Sequence, residues 1–158
     1  MKRYPGIRMT DPVHFLALGF GLGLAPKAPG TFGTLAALPF FLLMAGLSLP
    51  IYLAIVLVMG LVGIYLCDVT AKAMGEHDHP AIVWDEVVGM LIAMICLPAG
   101  WIWVIAAFVA FRFFDILKPW PIKLLDKHVH GGFGIMIDDV LAGIFALAVV
   151  QAAAYWLV

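Results

Sequence analysis

An all-α, polytopic integral membrane bundle is the fold class this sequence predicts, as a single domain over residues 1–158. Three observations carry the prediction. Hydrophobic residues make up 65% of the chain and charged residues 12%, where soluble domains sit nearer half and about a quarter. The mean hydropathy is +1.08. Residues 28–67, 87–111 and 140–158 carry no charge at all, and a helix crossing a membrane needs about 20 apolar residues. A soluble helical protein would have to hide uncharged runs too long for one buried helix.

The elements follow in order. Lys2 and Arg3 ahead of the apolar stretch 13–25 superficially resemble a signal peptide. His14 and several glycines interrupt that stretch and Met1 is retained, so the N-terminus reads as mature. Residues 13–24 are too few for a span and fit a short interfacial or re-entrant helix. The run 28–67 has room for two spans, divided at Ser48-Leu49-Pro50. The run 87–111 contains a second turn signal, Leu97-Pro98-Ala99-Gly100, with Trp101 and Trp103 beside it as interface anchors. With both turns real, about five membrane helices lie near 33–47, 51–67, 86–97, 101–117 and 139–158. All nine Lys and Arg then fall on one face, which the positive-inside rule makes cytoplasmic. A single span over 86–111 would instead put Arg112 and Asp115 across the membrane from Asp85.

Net charge −1 gives no case for nucleic acid. Cys67 and Cys96 lie in separate apolar segments without a CxxC, so neither disulfide nor zinc is implied and both read as buried free thiols.

Five groups of residues can do chemistry. The loop Pro26-Lys27-Ala28-Pro29-Gly30-Thr31 leads into a helix that Thr31 or Thr34 can cap. A helix start with Lys27 nearby favours an anion, although an ordinary capped loop fits the same spacing. Asp68 stands four residues before Lys72 and can simply pair with it. His77 and His79 flank Asp78 in a spacing that can bind metal but more often marks a solvated loop. Asp85 and Glu86 open an apolar run. As helix neighbours they point about 100° apart and need not share a ligand. Acids beside hydrocarbon are usually paired, metal-bound or functional. Arg112 and Asp115 share a helical face, with Lys118 just before Pro119. The glycine-rich 131–134 leads to Asp138 and Asp139 at the start of the last helix, repeating the Asp85-Glu86 arrangement. Such carboxylates on one face suit a hard cation such as Mg²⁺. With Lys27, Arg112 and Lys118 they form an inventory for Mg²⁺-assisted phosphoryl chemistry on a membrane-borne substrate.

The motifs GLGLAPKAPGTFGTLAALP (21–39), IVWDEVVGM (82–90), FRFFDILKPWPI (111–122) and GGFGIMIDDVLAG (131–143), with Asp68 between the first two, occur in this order. In them the sequence resembles the phosphatidylglycerophosphatase A family of bacterial inner-membrane lipid phosphatases. The resemblance implies Mg²⁺-dependent hydrolysis of the terminal phosphate of phosphatidylglycerophosphate, a bilayer phospholipid, by a multi-pass protein working on the cytoplasmic face. It carries Lys27, Thr31, Asp68, Asp85, Glu86, Arg112, Asp115, Lys118, Asp138 and Asp139 over as site residues. The expected roles are metal binding by Asp68, Asp85, Glu86, Asp138 and Asp139, and phosphate binding by Lys27, Thr31, Arg112 and Lys118. Asp85 or Asp115 is the expected general base, and Lys27, Arg112 and Lys118 stabilise charge developing on phosphate. Direct hydrolysis is favoured, because the motifs of the common aspartyl and histidine phosphatases are absent. The alternative is an ion or metal transporter with the acids as its translocation site. A non-catalytic membrane subunit gives no reason for so many acids on one face.

Overall fold

The computed structural model describes residues 6–76 and 79–157. They form an all-helical fold without a strand among the described residues. Helix α1 (Pro12–Ala17) is capped by Asp11, whose Oδ1 accepts from the Val13 N–H at 2.9 Å. It is shorter than the expected element over 13–24. Gly19, Phe20 and Gly21 all take positive φ and break the helix before a 3₁₀ turn at Leu22–Leu24. This segment lies against the chain ahead of α5: the Val83 N–H donates to the Ala17 carbonyl, and Leu18, Leu24 and Ala81 form a small core.

The expected helix over 33–47 is two pieces, α2 (Pro29–Leu35) and α3 (Ala37–Met44). Pro39 explains the division, because it has no N–H for the Leu35 carbonyl and its ring crowds that carbonyl. Helix α4 (Leu49–Met74) starts with Pro50 in its first turn and ends at Gly75, φ 74°. It runs seven residues beyond the expected end at 67. The charges from Asp68 onward end the apolar stretch but not the helix, since Asp68 and Lys72 pair across one turn at 2.9 Å.

Helix α5 (Trp84–Ala93) has ten residues, and α6 (Trp101–Leu117) matches its expected bounds. At ~1.5 Å per residue α5 covers about 15 Å, half of a hydrocarbon core, so it is no span by itself. A short α7 (Ile122–His128), not foreseen, precedes α8 (Gly131–Leu157). Helix α8 begins eight residues before the expected 139. The run 131–134 looks like loop by propensity, but a Cβ on Gly132 would stand 2.0 Å from the Ile64 carbonyl oxygen. Glycine there lets α8 begin in contact with α4, and packing overrides propensity. The expectation of five spanning helices therefore narrows. Among the described residues, α4 and α8 are the two helices long and apolar enough to cross a membrane.

Helix α8 packs against α4, α5, α6 and α7. Named contacts give the directions. The Trp84 Nε1–H donates to the Met59 carbonyl and the Tyr52 hydroxyl to the Leu91 carbonyl, so α4 and α5 are antiparallel. Gly143 meets the Gly89 carbonyl, and the Gln151 amide donates to the Ile95 and Cys96 carbonyls, so α5 and α8 run parallel. Phe111 lies against Gly89, and Asp115 faces Asp139, as Asp85 does, so α6 returns antiparallel to both. The chain thus turns between α5 and α6 and brings residue 115 back to the end that holds residue 85.

Helices α5 and α8 also come into backbone contact. A Cβ on Gly143 would lie 2.4 Å from the Gly89 carbonyl oxygen, and one on Gly89 would lie 2.6 Å from the Asp139 carbonyl oxygen. Gly143→Val should force the two helices apart at a cost of about 1–3 kcal/mol, the usual range for overpacking. Thermal unfolding in detergent measures this, and an unchanged midpoint would show that the contact does not constrain the bundle.

Candidate functional site

The acids sit at one end of the bundle because each is carried there by a different helix. Asp85 and Glu86 occupy the first turn of α5, where carboxylates suit the helix dipole. Asp139 is the ninth residue of α8, about 12 Å along its axis from the start. It is therefore sunk inside the bundle and not at a helix head as the sequence implies. One oxygen from each of Asp85, Glu86 and Asp139 lies within 4.8 Å of the others. The neighbours Asp85 and Glu86, expected to diverge, thus face a common point. Asp85 and Asp139 are buried, and Glu86 is partly buried with its Oε2 shut off from solvent.

This arrangement fits a hard divalent cation. Three carboxylates this close in an apolar surround repel one another without positive charge between them. Among the described residues the buried Glu86 Oε2 and Asp139 Oδ2 have no hydrogen-bond partner, and a buried carboxylate oxygen left that way is costly. An all-oxygen donor set matches Mg²⁺ better than a soft metal.

The basic residues lie around the trio. Arg112 pairs with the buried Asp115, which faces Asp139. Lys118 closes α6 with φ 46°, a left-handed conformation that costs energy for a side chain larger than glycine. Its ammonium lies 3.7 Å from Asp138 Oδ2 and 3.8 Å from Asp126 Oδ1. Burial works against its charged form, but Asp139, Asp138, Asp126 and Asp115 outweigh that and hold its pKa above the ordinary lysine value.

The Pro–Gly loop reaches the same end. A Cβ on Gly30 would meet the Arg112 guanidinium at 2.9 Å, so this glycine admits the arginine against the backbone of α2. The helix cap differs from expectation. Ala28, in the left-handed region, precedes α2, and the Thr34 hydroxyl donates back to the Gly30 carbonyl at 2.7 Å. Thr31 lies in the first turn, partly buried. Lys27 is exposed and makes no ion pair among the described residues.

Two of the five expected metal ligands stand outside the trio. Asp68 accepts from the Lys72 ammonium and, at 3.2 Å, from the Gly132 N–H. It ties the start of α8 to α4. Asp138 faces Lys118. Of the histidine motif, His77 and Asp78 lie outside the described residues, and His79 pairs with Glu76 at 3.6 Å. Two contributors escaped the sequence reading. Gly30 matters only through its distance to Arg112. Asp126 reaches Lys118 across a proline-bent corner that no helical periodicity signals.

The model of the family described as phosphatidylglycerophosphatase A matches residues 15–154. A phosphatidylglycerophosphatase A of Escherichia coli is 51% identical over 144 residues, 90% of this chain and 84% of that protein. One of Haemophilus influenzae is 50% identical over 153 residues, 96% of this chain and 94% of that protein. A protein of Bacteroides thetaiotaomicron, provisionally named a phosphatidylinositol-3-phosphatase, is 38% identical over 151 residues, 90% of this chain and 93% of that protein. These matches give no support to ion transport, and no solved structure matches the chain. Matched along nearly its whole length and half identical to two named members, the chain belongs to the phosphatidylglycerophosphatase A family and with it to the phosphoric monoester hydrolases.

Proposed function

We propose that this chain hydrolyses the terminal phosphate monoester of phosphatidylglycerophosphate, giving phosphatidylglycerol, at a Mg²⁺ site formed by Asp85, Glu86 and Asp139. The observation that carries the reading is the convergence of these three carboxylates, two with buried oxygens that lack a hydrogen-bond partner among the described residues, beside Arg112 and Lys118. A bound Mg²⁺ neutralises phosphate oxygens and makes a bound water more acidic.

The chain's own residues do the rest. Arg112, set by Asp115 and seated on Gly30, presents a planar fork to phosphate oxygens. Lys118, steadied by Asp126 and Asp138, offers a point charge to the same group. Lys27 and Thr31, on the loop and first turn beside Arg112, complete the phosphate grip. Asp115 is the acid next to the trio that is not committed to the cation, and it accepts the proton of the attacking water. The water oxygen bonds to phosphorus as the bond to the glycerol oxygen breaks. That oxygen leaves with the electron pair and takes up a proton, giving the alcohol and inorganic phosphate. Asp68 and Asp138, expected as ligands, act here as supports, the first for the start of α8 and the second for Lys118.

A multi-pass position in the bacterial inner membrane, with this end of the bundle on the cytoplasmic side, belongs to the same proposal. Only 22% of the membrane-length apolar stretch of α4 is buried. Leu57 and Leu61 are among the exposed side chains of that helix. Such a surface suits lipid better than water. The short α5 and the return of α6 make a pair supported by α4 and α8, not two independent spans.

Purified protein in mixed micelles should release phosphate from phosphatidylglycerophosphate, lose that activity on chelation and regain it with Mg²⁺. Glu86→Gln and Asp139→Asn should each lower kcat by about 10²–10³, the scale of losing one preorganised charge. Asp68→Asn should cost far less. Activity that survives chelation, or equal losses at 68 and 139, would sink the metal assignment. Lys118 supplies a pH test. A lysine pKa raised by folding stabilises the fold at all pH values below the ordinary lysine value, and that stabilisation is lost as pH climbs through the folded value. Lys118→Met should therefore unfold earlier than the wild type at pH 7 to about 10, with the difference shrinking only at higher pH. A difference that stays constant across the alkaline range would mean that the ammonium's charge is not what stabilises.

A further inference from the structure

Helix α6 carries exposed apolar side chains in one stripe. Ile105, Val109, Phe113 and Ile116 follow one another at spacings of three and four, each more than half exposed, and so share one face of the helix. The stripe starts near the exposed Trp101 and runs out at Trp120, 78% exposed, in the turn before α7. Helix α7 divides its residues in two. Ile122 is buried and Leu125 and Asp126 are partly buried, whereas Lys123, Leu124 and Lys127 are exposed. The inner face packs on α8 and, through Asp126, holds Lys118. Neither the fold nor the phosphate grip uses the outer face. Lys123 and Lys127 make no ion pair among the described residues. At i and i+4 they are neighbours, with Cβ atoms about 6 Å apart.

The order of these side chains selects a partner. An apolar stripe, then a tryptophan, then a leucine between lysines is the order met on passing from hydrocarbon through the interface to anionic headgroups. Lysine stems lie along apolar surface while their ammonium groups reach outward. We propose that the outer face of α7 binds the headgroups of anionic phospholipids in the bilayer, at the edge of the phosphate grip. Lys123 and Lys127 bracket a headgroup phosphate, and Trp120 and Leu124 lie against the glycerol and the upper acyl chains. A soluble acidic partner would leave the stripe of α6 and Trp120 uncovered, whereas lipid covers the stripe and meets the lysines together. The inference rests on the membrane placement proposed above and not on hydrolysis. One helix then faces the bilayer with one side and steadies Lys118 with the other.

Phosphatidylserine is anionic and carries no phosphate monoester, so it reads this surface apart from catalysis. Native mass spectrometry of the whole chain, offered equal dioleoyl-phosphatidylserine and dioleoyl-phosphatidylcholine in detergent, should show the serine lipid retained about ten- to thirtyfold better, since each lysine near an anionic surface is worth about fivefold. Lys123→Gln with Lys127→Gln should abolish that preference. Arg8→Gln, which removes an exposed charge ahead of α1, should keep it. No preference in the wild type, a preference that survives the double change, or an equal loss at Arg8 would each overturn the proposal. A second arm keeps both lysines. Cys96 is exposed, against expectation, and Cys67 is buried, so a fluorophore is attached through Leu124→Cys in a Cys96→Ala background. In nanodiscs, adding phosphatidylserine to phosphatidylcholine should shield that fluorophore from acrylamide and shift its emission to the blue. A fluorophore equally open to acrylamide in both nanodiscs would overturn the proposal as well. A chain that releases no phosphate would refute the phosphatase reading alone and leave both measurements decisive.

Discussion

The structure depends on how closely α5 approaches α8. Gly89 and Gly143 bring the two backbones into contact, and only at that distance do Asp85 and Glu86 reach Asp139. Carboxylates at that spacing in an apolar bundle repel, so the fold holds together an electrostatic demand that a cation satisfies. Small residues at helix contacts are the usual way for helices to come close in an apolar surround, where burial of hydrophobic surface supplies little drive. Here the same glycines that allow packing set the geometry of the acids.

The charges around the trio are arranged in layers. Asp115 and Asp138 do not join it but orient Arg112 and Lys118, and Asp126 adds a second hold on Lys118. A cation held by these carboxylates would keep its position when substrate is absent, which would lower the ordering cost of binding phosphate. The left-handed Lys118 ends α6 and turns the chain toward α7, so the strain at one residue both stops a helix and aims a charge.

Much of this was legible in the chain, and the limits have physical causes. The acidic pairs at the edges of uncharged runs, the two turn signals and the bounds of α6 follow from hydropathy and from Pro–Gly chemistry, which are local. The early start of α8 was not legible, because glycine's poor helix propensity is overridden by a contact with Ile64 and Asp68 more than sixty residues away. The full length of α4 is not legible either, because the charges that end its apolar stretch pair across a turn and do not end the helix. The same list of acids could not be sorted into ligands and supports, since residue type does not reveal which carboxylate already faces a lysine.

The sequence by itself determined the helical class, the family and the set of charged residues that must gather at one end, because composition and motif order are properties of the chain alone. Tertiary structure decided which of them meet. The turn after α5 returned Asp115 to Asp85, and the glycine contact placed Asp139 between them. Asp68 and Asp138 were drawn to Gly132 and Lys118. Asp85 and Glu86 of one helix and Asp139 of another reach a common point only because α5 and α8 lie in backbone contact.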